Sequence, residues 1–259
     1  MLRRTPHAVF SPGASVFPGG AVDAGDGMPT VSSRIRGGDD VSVSAEMSLS
    51  RGGLAVKVAA VRECFEEAGL LLARAQPTGE PVDVTDPARR ARLADRRHGL
   101  NAGDASWAEV LEAEDVVIDV RDLHPFAHWR TPIGAPRRYD TWFFVAVAPH
   151  GDDGVHDDNE LVASEWIAPR DALAQHHDGD IELIFPTMRT LSIMSRFETA
   201  REAIDALAGV AHDDAGRPEV VSDGGGERVA LAGDAPGAFG WTVPLPDLDR
   251  RALAREGVA

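Results

Sequence analysis

The sequence contains no run of about 18 apolar residues, so no segment reads as a membrane-spanning helix. It has one cysteine, Cys64, which excludes a disulfide framework and a thiolate zinc site and fits a reducing, cytoplasmic setting. Positive charge is scarce: 26 Lys+Arg stand against 42 Asp+Glu, giving a formal charge of −16 and an isoelectric point near 4.9. Such a balance offers phosphate backbones no broad basic surface and argues against nucleic acid as a partner. The first 13 residues carry basic side chains but lack the apolar core of a signal peptide. No internal repeat is present. What remains is a globular composition of 259 residues, 43% hydrophobic with five Trp and nine Phe, enough to bury a core in one or two domains. An acidic protein can still handle an anionic small molecule if a divalent cation stands between the two.

Along the chain, residues 1–26 are rich in Gly and Pro, with short β-type stretches such as Ala14 to Phe17. Residues 27–50 are polar, contain Gly37-Gly38-Asp39-Asp40 and many Ser, and read as a surface loop. Leu54, Val58, Val61, Phe65 and Ala68 then recur at three- and four-residue spacing, which predicts a helix. Gly69 stands where a left-handed C-terminal cap belongs, and Leu70-Leu71-Leu72 reads as the start of an apolar strand. The polar region 75–104 predicts a short helix after Asp86, with Pro87 at its first position, and another helix follows over 105–113. Strands are expected at Val116 to Val120, Leu123 to Trp129 and Tyr139 to Val147. Pro169 and Pro186 open helices, the second running toward Leu207. After Gly209 the chain becomes acidic and Gly-rich, with two short strands. Strands and helices interleave without regular βαβ alternation, which indicates an α+β fold, an α/β/α sandwich with a mixed sheet, in one domain with insertions.

The most informative stretch is Arg62-Glu63-Cys64-Phe65-Glu66-Glu67-Ala68-Gly69-Leu70. At about 100° per residue, Leu54, Val58, Val61 and Phe65 occupy one side of the helix, while Glu63, Glu66 and Glu67 gather on the other. Exposed like-charge pairs at i,i+3 and i,i+4 cost a helix a few tenths of a kcal/mol each, more when partly buried. Arg62 can offset part of this through Glu66 at i+4. Two readings are open: a solvated acidic face, or a set of hard oxygen ligands for Mg²⁺ or Mn²⁺. Upstream, Phe17-Pro18-Gly19-Gly20 continues to Asp23 and Asp26; paired glycines allow a tight turn and close backbone approach to a metal or phosphate.

Together these two stretches resemble the Nudix hydrolase family, whose signature is G-x5-E-x7-R-E-U-x-E-E-x-G-U, with U a bulky apolar residue. Gly20 matches the opening glycine, and Asp26 stands where the family has Glu. Arg62, Glu63, Glu66, Glu67, Gly69 and Leu70 match the second half, with Cys64 in an apolar position. The spacing departs: 35 residues separate Asp26 from Arg62, 28 more than the signature's seven. A loop lengthened between the halves is thermodynamically cheap and leaves each half intact. A box split in this way resembles the acyl-coenzyme A diphosphatase branch. So do HPFAHWRTPIGAPRRYDTWFF at 124–144 and the run from Asn159-Glu160 to Trp166. Of the coenzyme-A signature that precedes the box, Arg4, Gly13 and FPGG keep register, Val9 replaces an Arg, and the leading Leu-Leu-Thr is missing. The family also has a full strand here, of which Met1 to Arg4 looks like the last residues; either the chain begins further upstream or part of a central strand is lacking. The expected organisation is a Nudix domain over 1–210, with an insertion at about 27–50 and a helical one at about 75–113. An acidic extension over 211–259 follows.

The resemblance implies hydrolysis of a nucleoside-linked diphosphate by water, with divalent metal neutralising the diphosphate and lowering the pKa of a bound water. Glu63 and Glu67 are the first expected ligands, then Glu66, with the Gly20 carbonyl a further one. Arg62 orients a glutamate, and Glu66 and Glu160 are the candidates for general base. Arg137 and Arg138 could meet phosphates bidentately, or form part of the surface beside a strand. His124 and His128 share an i,i+4 spacing that would suit zinc only on a helix; Pro125 and the expected strand favour packing. His176-His177 reads as a solvent loop. The function expected is hydrolysis of coenzyme A or acyl-CoA to 3′,5′-ADP and a phosphopantetheine product. The alternatives are another nucleoside diphosphate derivative (ADP-ribose, NADH, a dinucleotide) and a non-catalytic ligand-binding module.

Overall fold

The computed structural model describes residues 1–7, 11–131, 138–149, 154, 161–207, 218–222 and 227–231. Two compact units are distinguished: Met1–His124 with Phe144–Val210, and Pro125–Phe143 with Ala211–Ala259. In chain order the elements begin with β1 (Leu2–Arg4), β2 (Ala14–Val16), a 3-10 turn at Ala24–Gly27, α1 (Pro29–Ser32), β3 (Ile35–Arg36) and α2 (Asp40–Glu46). Then come α3 (Gly53–Ala68), β4 (Arg74–Ala75), α4 (Pro87–Ala102), α5 (Trp107–Ala113), β5 (Val116–Asp119) and a second 3-10 turn at Val120–Asp122. The remainder is β6 (His124–Arg130), β7 (Asp140–Val145), β8 (Leu161–Ser164), α6 (Pro169–Asp178), β9 (Glu182–Leu183), α7 (Phe185–Met194), α8 (Ala200–Leu207), β10 (Pro218–Ser222) and β11 (Glu227–Leu231).

In the first unit a four-stranded sheet runs β8-β1-β2-β9. β1 is antiparallel to both β2 and β8, with Leu2 opposite Val16 and Ser164 and Arg3 opposite Ser15 and Ala163, so these two residues are paired on both sides. β2 and β9 are parallel, which makes the sheet mixed. A second mixed sheet runs β3-β5-β4. In the second unit β6 pairs with β7, and β10 with β11 antiparallel. Mixed sheets with helices make the fold α+β, as the sequence indicates.

Helix α3 is the organising element of the first unit. Val58, Val61 and Phe65 are fully buried, and each contributes on the order of 1.5–3 kcal/mol by leaving water. Cys64 and Ala68 pack against Leu2, Leu70 and Leu161, with Val16 and Leu72 alongside, so this face of α3 lies on the four-stranded sheet. Phe65 meets Trp107 of α5 at a ring-centroid distance of 5.8 Å. Leu54, expected among the core residues, is only half-buried, and Gly53 is buried instead, its position crowded by the backbone of Ser44 in α2. Gly69 ends the helix at φ 75°, its N–H donating to the Phe65 carbonyl.

Four expectations need correction. Residues 27–50 are not a loop but α1, β3 and α2, because Val31, Ile35, Val43 and Met47 are buried between the serines. Asp39 and Ser42 form a reciprocal capping box that starts α2. Leu70-Leu71-Leu72 is not a strand; Leu70 and Leu71 bury their side chains, and regular pairing begins only at Arg74. The helix toward Leu207 is two helices, because Thr199 Oγ1 accepts from Glu202 N–H and starts α8 afresh. His176 and His177 lie in the last turn of α6, where His176 Nδ1 faces the Ile181 carbonyl and Leu183 N–H.

Candidate active site

Arg62 is the hub. Its Nε and Nη2 donate to the two carboxylate oxygens of Asp26 at 2.8 and 3.0 Å, a bidentate fork between residues 36 positions apart. Nη1 donates to Glu63 Oε1 at 2.9 Å and to Glu66 Oε2 at 3.0 Å, and Nη2 also reaches the Ala21 carbonyl at 2.9 Å. Asp23 adds a further carboxylate at 3.6 Å. The Asp26 and Arg62 side chains are 1% and 6% exposed. Burial alone would lower the Arg62 pKa, yet the bonds and charge of Asp26, with Glu63 and Glu66, hold it above its ordinary value. Every nitrogen of the guanidinium is thus engaged by protein acceptors.

The second contact between the halves comes from the glycine pair. Gly19 N–H donates to Glu67 Oε2 at 2.8 Å. A Cβ at Gly20 would lie 2.5 Å from the Glu63 carboxylate, so only glycine lets this backbone approach so closely. The 3-10 turn carrying Asp26 rests on α3 near Ala55. The inserted residues therefore leave the two halves in register, as the loop-closure argument requires.

The glutamate face is partly withdrawn from solvent. The Glu63 and Glu66 side chains are only 14% and 22% exposed. Burial pushes both carboxyls above their ordinary pKa; Arg62 opposes the shift in each, while Asp23 adds to both, with Asp26 also acting on Glu63 and Glu63 on Glu66. Partly desolvated acids crowded in this way favour a bound cation. The donors are hard oxygens suited to Mg²⁺ or Mn²⁺, and the Gly20 backbone lies close to the Glu63 carboxylate. Among the described residues no three His, Cys, Asp or Glu groups already converge as an ion cage. Arg62 holds Glu63 and Glu66, and Gly19 holds Glu67. The donor chemistry fits a divalent ion; the side chains are held by protein donors in the structure.

Two further supports had no signal in the local sequence. From α4, Arg97 donates Nε to the Glu66 carbonyl at 2.8 Å and Nη2 to the Glu67 carbonyl at 2.7 Å, and Asn101 Nδ2 reaches the Glu66 carbonyl at 3.2 Å. These bonds satisfy the end carbonyls of α3 that have no intrahelical partner. At its other end, Asp40 of α2 accepts from Gly52 N–H at 3.0 Å and Leu54 N–H at 3.1 Å. Lys57, the chain's one lysine and 1% exposed, bonds Glu46 Oε2 at 2.7 Å and the Val120 carbonyl at 2.9 Å. Both inserted regions thus grip α3.

Arg4 lies in β1, within the sheet that backs α3. Arg138 belongs to the second unit, is exposed, and donates Nε to the Thr131 carbonyl at 3.4 Å. Arg137 and Glu160 fall outside the described residues. His128, in the same unit, pairs with Asp140 and stacks on Trp142 at 4.1 Å, which is packing and hydrogen bonding as expected for a strand histidine.

The family profile described as the NUDT19 Nudix domain matches residues 40–194, more than half of the sequence. The chain belongs to the Nudix family. The profile match starts after the FPGG stretch, so placing Gly20 and Asp26 in this Nudix box rests on the Arg62 and Gly19 contacts. An acyl-coenzyme A diphosphatase NUDT19 from Gallus gallus is 28% identical over 238 residues, covering 78% of this chain and 62% of the relative. Its counterpart from Homo sapiens is 28% identical, covering 76% and 60%. The chain spans about three fifths of the length of these curated relatives. A crystal structure of a NUDIX hydrolase from Alicyclobacillus acidocaldarius superimposes with a TM-score of 0.62 at 28% identity, covering 80% of this chain and 86% of that one. Among the described residues no helix is long and apolar enough to cross a membrane.

Proposed function

We propose that this Nudix protein is a divalent-metal-dependent hydrolase that cleaves the diphosphate linkage of coenzyme A or acyl-CoA, giving 3′,5′-ADP and (acyl-)phosphopantetheine. The observation that carries the reading is the buried Arg62 fork, which joins Asp26 to Glu63 and Glu66 across the insertion and so restores a Nudix box. The names of the relatives support the choice of substrate. Gly20, Glu63, Glu66 and Glu67 would hold Mg²⁺ or Mn²⁺, which supplies charge neutralisation of the diphosphate and a more acidic water. The chain's own part is positional. Arg62 fixes the Glu63 and Glu66 carboxylates, Gly19 fixes Glu67, and Glu66 or Glu160 takes the proton of the attacking water. Arg4, Arg137 and Arg138 are the cations proposed for the substrate's phosphates, and a reducing, cytoplasmic setting accords with a sequence that has a single cysteine, Cys64.

A second reading keeps the chemistry and changes the substrate to ADP-ribose, NADH or a dinucleotide. It is favoured by the incomplete coenzyme-A signature, in which Val9 stands for an Arg. The test is turnover of coenzyme A, acyl-CoA, ADP-ribose and NADH by the purified protein with Mg²⁺ or Mn²⁺. Preference for coenzyme A and its thioesters supports the first reading. Preference for ADP-ribose replaces it with the second, and no turnover of any substrate by folded protein removes both.

A further inference from the structure

A cavity of about 710 Å³ in the first unit is lined by Arg36, Arg74, Arg121, Asp119, Asp122 and Val117 among others, and by none of the α3 glutamates. Its volume lies within the ~300–1,000 Å³ typical of small-molecule sites. Three guanidinium groups around one cavity are not background in a chain of charge −16. Two of them are matched. Arg74 donates Nε and Nη2 to Asp122, each at 2.6 Å, and Nη1 to the Gly79 carbonyl at 2.9 Å. Arg121 donates Nε and Nη2 to Asp119 at 2.9 and 2.5 Å. Both aspartates are therefore already neutralised and repel an incoming anion only weakly.

The third is different. Arg36 donates Nη1 to the Ile35 and Ser33 carbonyls at 2.8 and 3.2 Å and meets no carboxylate among the described residues. Those two carbonyls fix the guanidinium without cancelling its charge, leaving Nε and Nη2 as donors. Next to it, the Gly37 backbone presses on the Asp119–Arg121 pair: a Cβ there would collide with Asp119 Oδ1 and lie 2.8 Å from Arg121 Nε. The Arg121 side chain is 71% exposed, and its Nη1 has no partner among the described residues. The lining thus carries three cations against two anions, with spare N–H donors from neighbouring Arg36 and Arg121. Guanidinium forks of this kind match phosphate oxygens. Arg36 comes from the insertion within the box, whereas Arg74 and Arg121 flank the helical insertion.

We infer that this cavity is a second ligand site that takes a phosphorylated small molecule, its phosphate held between Arg36 and Arg121. The test is calorimetric titration of inorganic phosphate into the full chain, without divalent metal and at constant ionic strength. Saturable binding is expected in the wild type. It is expected to weaken roughly tenfold in Arg36→Gln and in Arg121→Gln, and to remain unchanged in Glu67→Gln. Both arginines are exposed, and unchanged unfolding midpoints would show that the variants keep their fold. Absence of saturable binding, equal binding by both arginine variants, or loss of binding in Glu67→Gln overturns the inference. Binding of citrate but not phosphate overturns the phosphorylated class.

Discussion

Asp26→Ala tests most sharply whether the inserted box is one structure. Asp26 is 1% exposed, and both its oxygens accept from Arg62, itself 6% exposed. Removing one member of a buried, hydrogen-bonded ion pair typically costs about 3–5 kcal/mol, because the remaining charge stays buried. Arg62 retains Glu63, Glu66 and the Ala21 carbonyl, so the expected cost falls below that range, about 2–3 kcal/mol. Against a total stability of 5–15 kcal/mol this shift is large and readable by urea denaturation. Turnover should also fall, since without the Asp26 fork Arg62 is held less firmly and positions Glu63 and Glu66 less precisely. Asp26→Glu is the instructive companion. By the family signature it should be neutral or beneficial. In the structure it inserts a methylene into a filled, buried contact and should destabilise by about 1–3 kcal/mol. An Asp26→Ala variant within about 0.5 kcal/mol of wild type, with unchanged turnover, would refute the claim that the 3-10 turn and α3 act as a unit.

Other outcomes follow from the supports of α3. Arg97→Gln should lower kcat about tenfold with little change in KM, since it loosens the turn bearing Glu66 and Glu67; steady-state kinetics separate the two. Asp40→Ala should cost about 1–2 kcal/mol through loss of the α3 cap. Bonds from Gly52 and Leu54 N–H hold the Asp40 carboxyl below its ordinary pKa, so its contribution is present above about pH 4 and is lost as pH falls through the folded value; paired denaturation curves at neutral and acid pH should converge. Glu46→Ala should cost about 1–3 kcal/mol by leaving the buried Lys57 ammonium with the Val120 carbonyl as its remaining bonded partner among the described residues, measured by thermal unfolding.

What the sequence showed was what is written locally. Val58, Val61, Phe65 and Ala68 at helical spacing, followed by Gly69, define α3 because its apolar face and its cap both lie within the segment. Pro87, Pro169 and Pro186 mark helix starts for the same reason. The Arg62–Glu66 pair was legible at i,i+4, and the Asp26 partnership only through the family signature. The roles of Arg97, Asn101, Asp40 and Glu46 were not legible, since each acts on a backbone group or side chain 11 to 35 residues away. The fold of residues 27–50 was hidden because its four buried apolar residues are spread thinly among serines. Its Asp39-x-x-Ser42 cap was the signal that could have revealed α2.

The central claim is that the two halves of the box form one metal-dependent hydrolytic site. It is tested most directly by turnover of coenzyme A with Mg²⁺ by wild type and Glu67→Gln, alongside their unfolding midpoints. Glu67 meets Gly19 across the join, so the account predicts release of 3′,5′-ADP by wild type and a loss of about 100-fold or more in the variant, with little change in stability. Undiminished turnover by folded Glu67→Gln would contradict it.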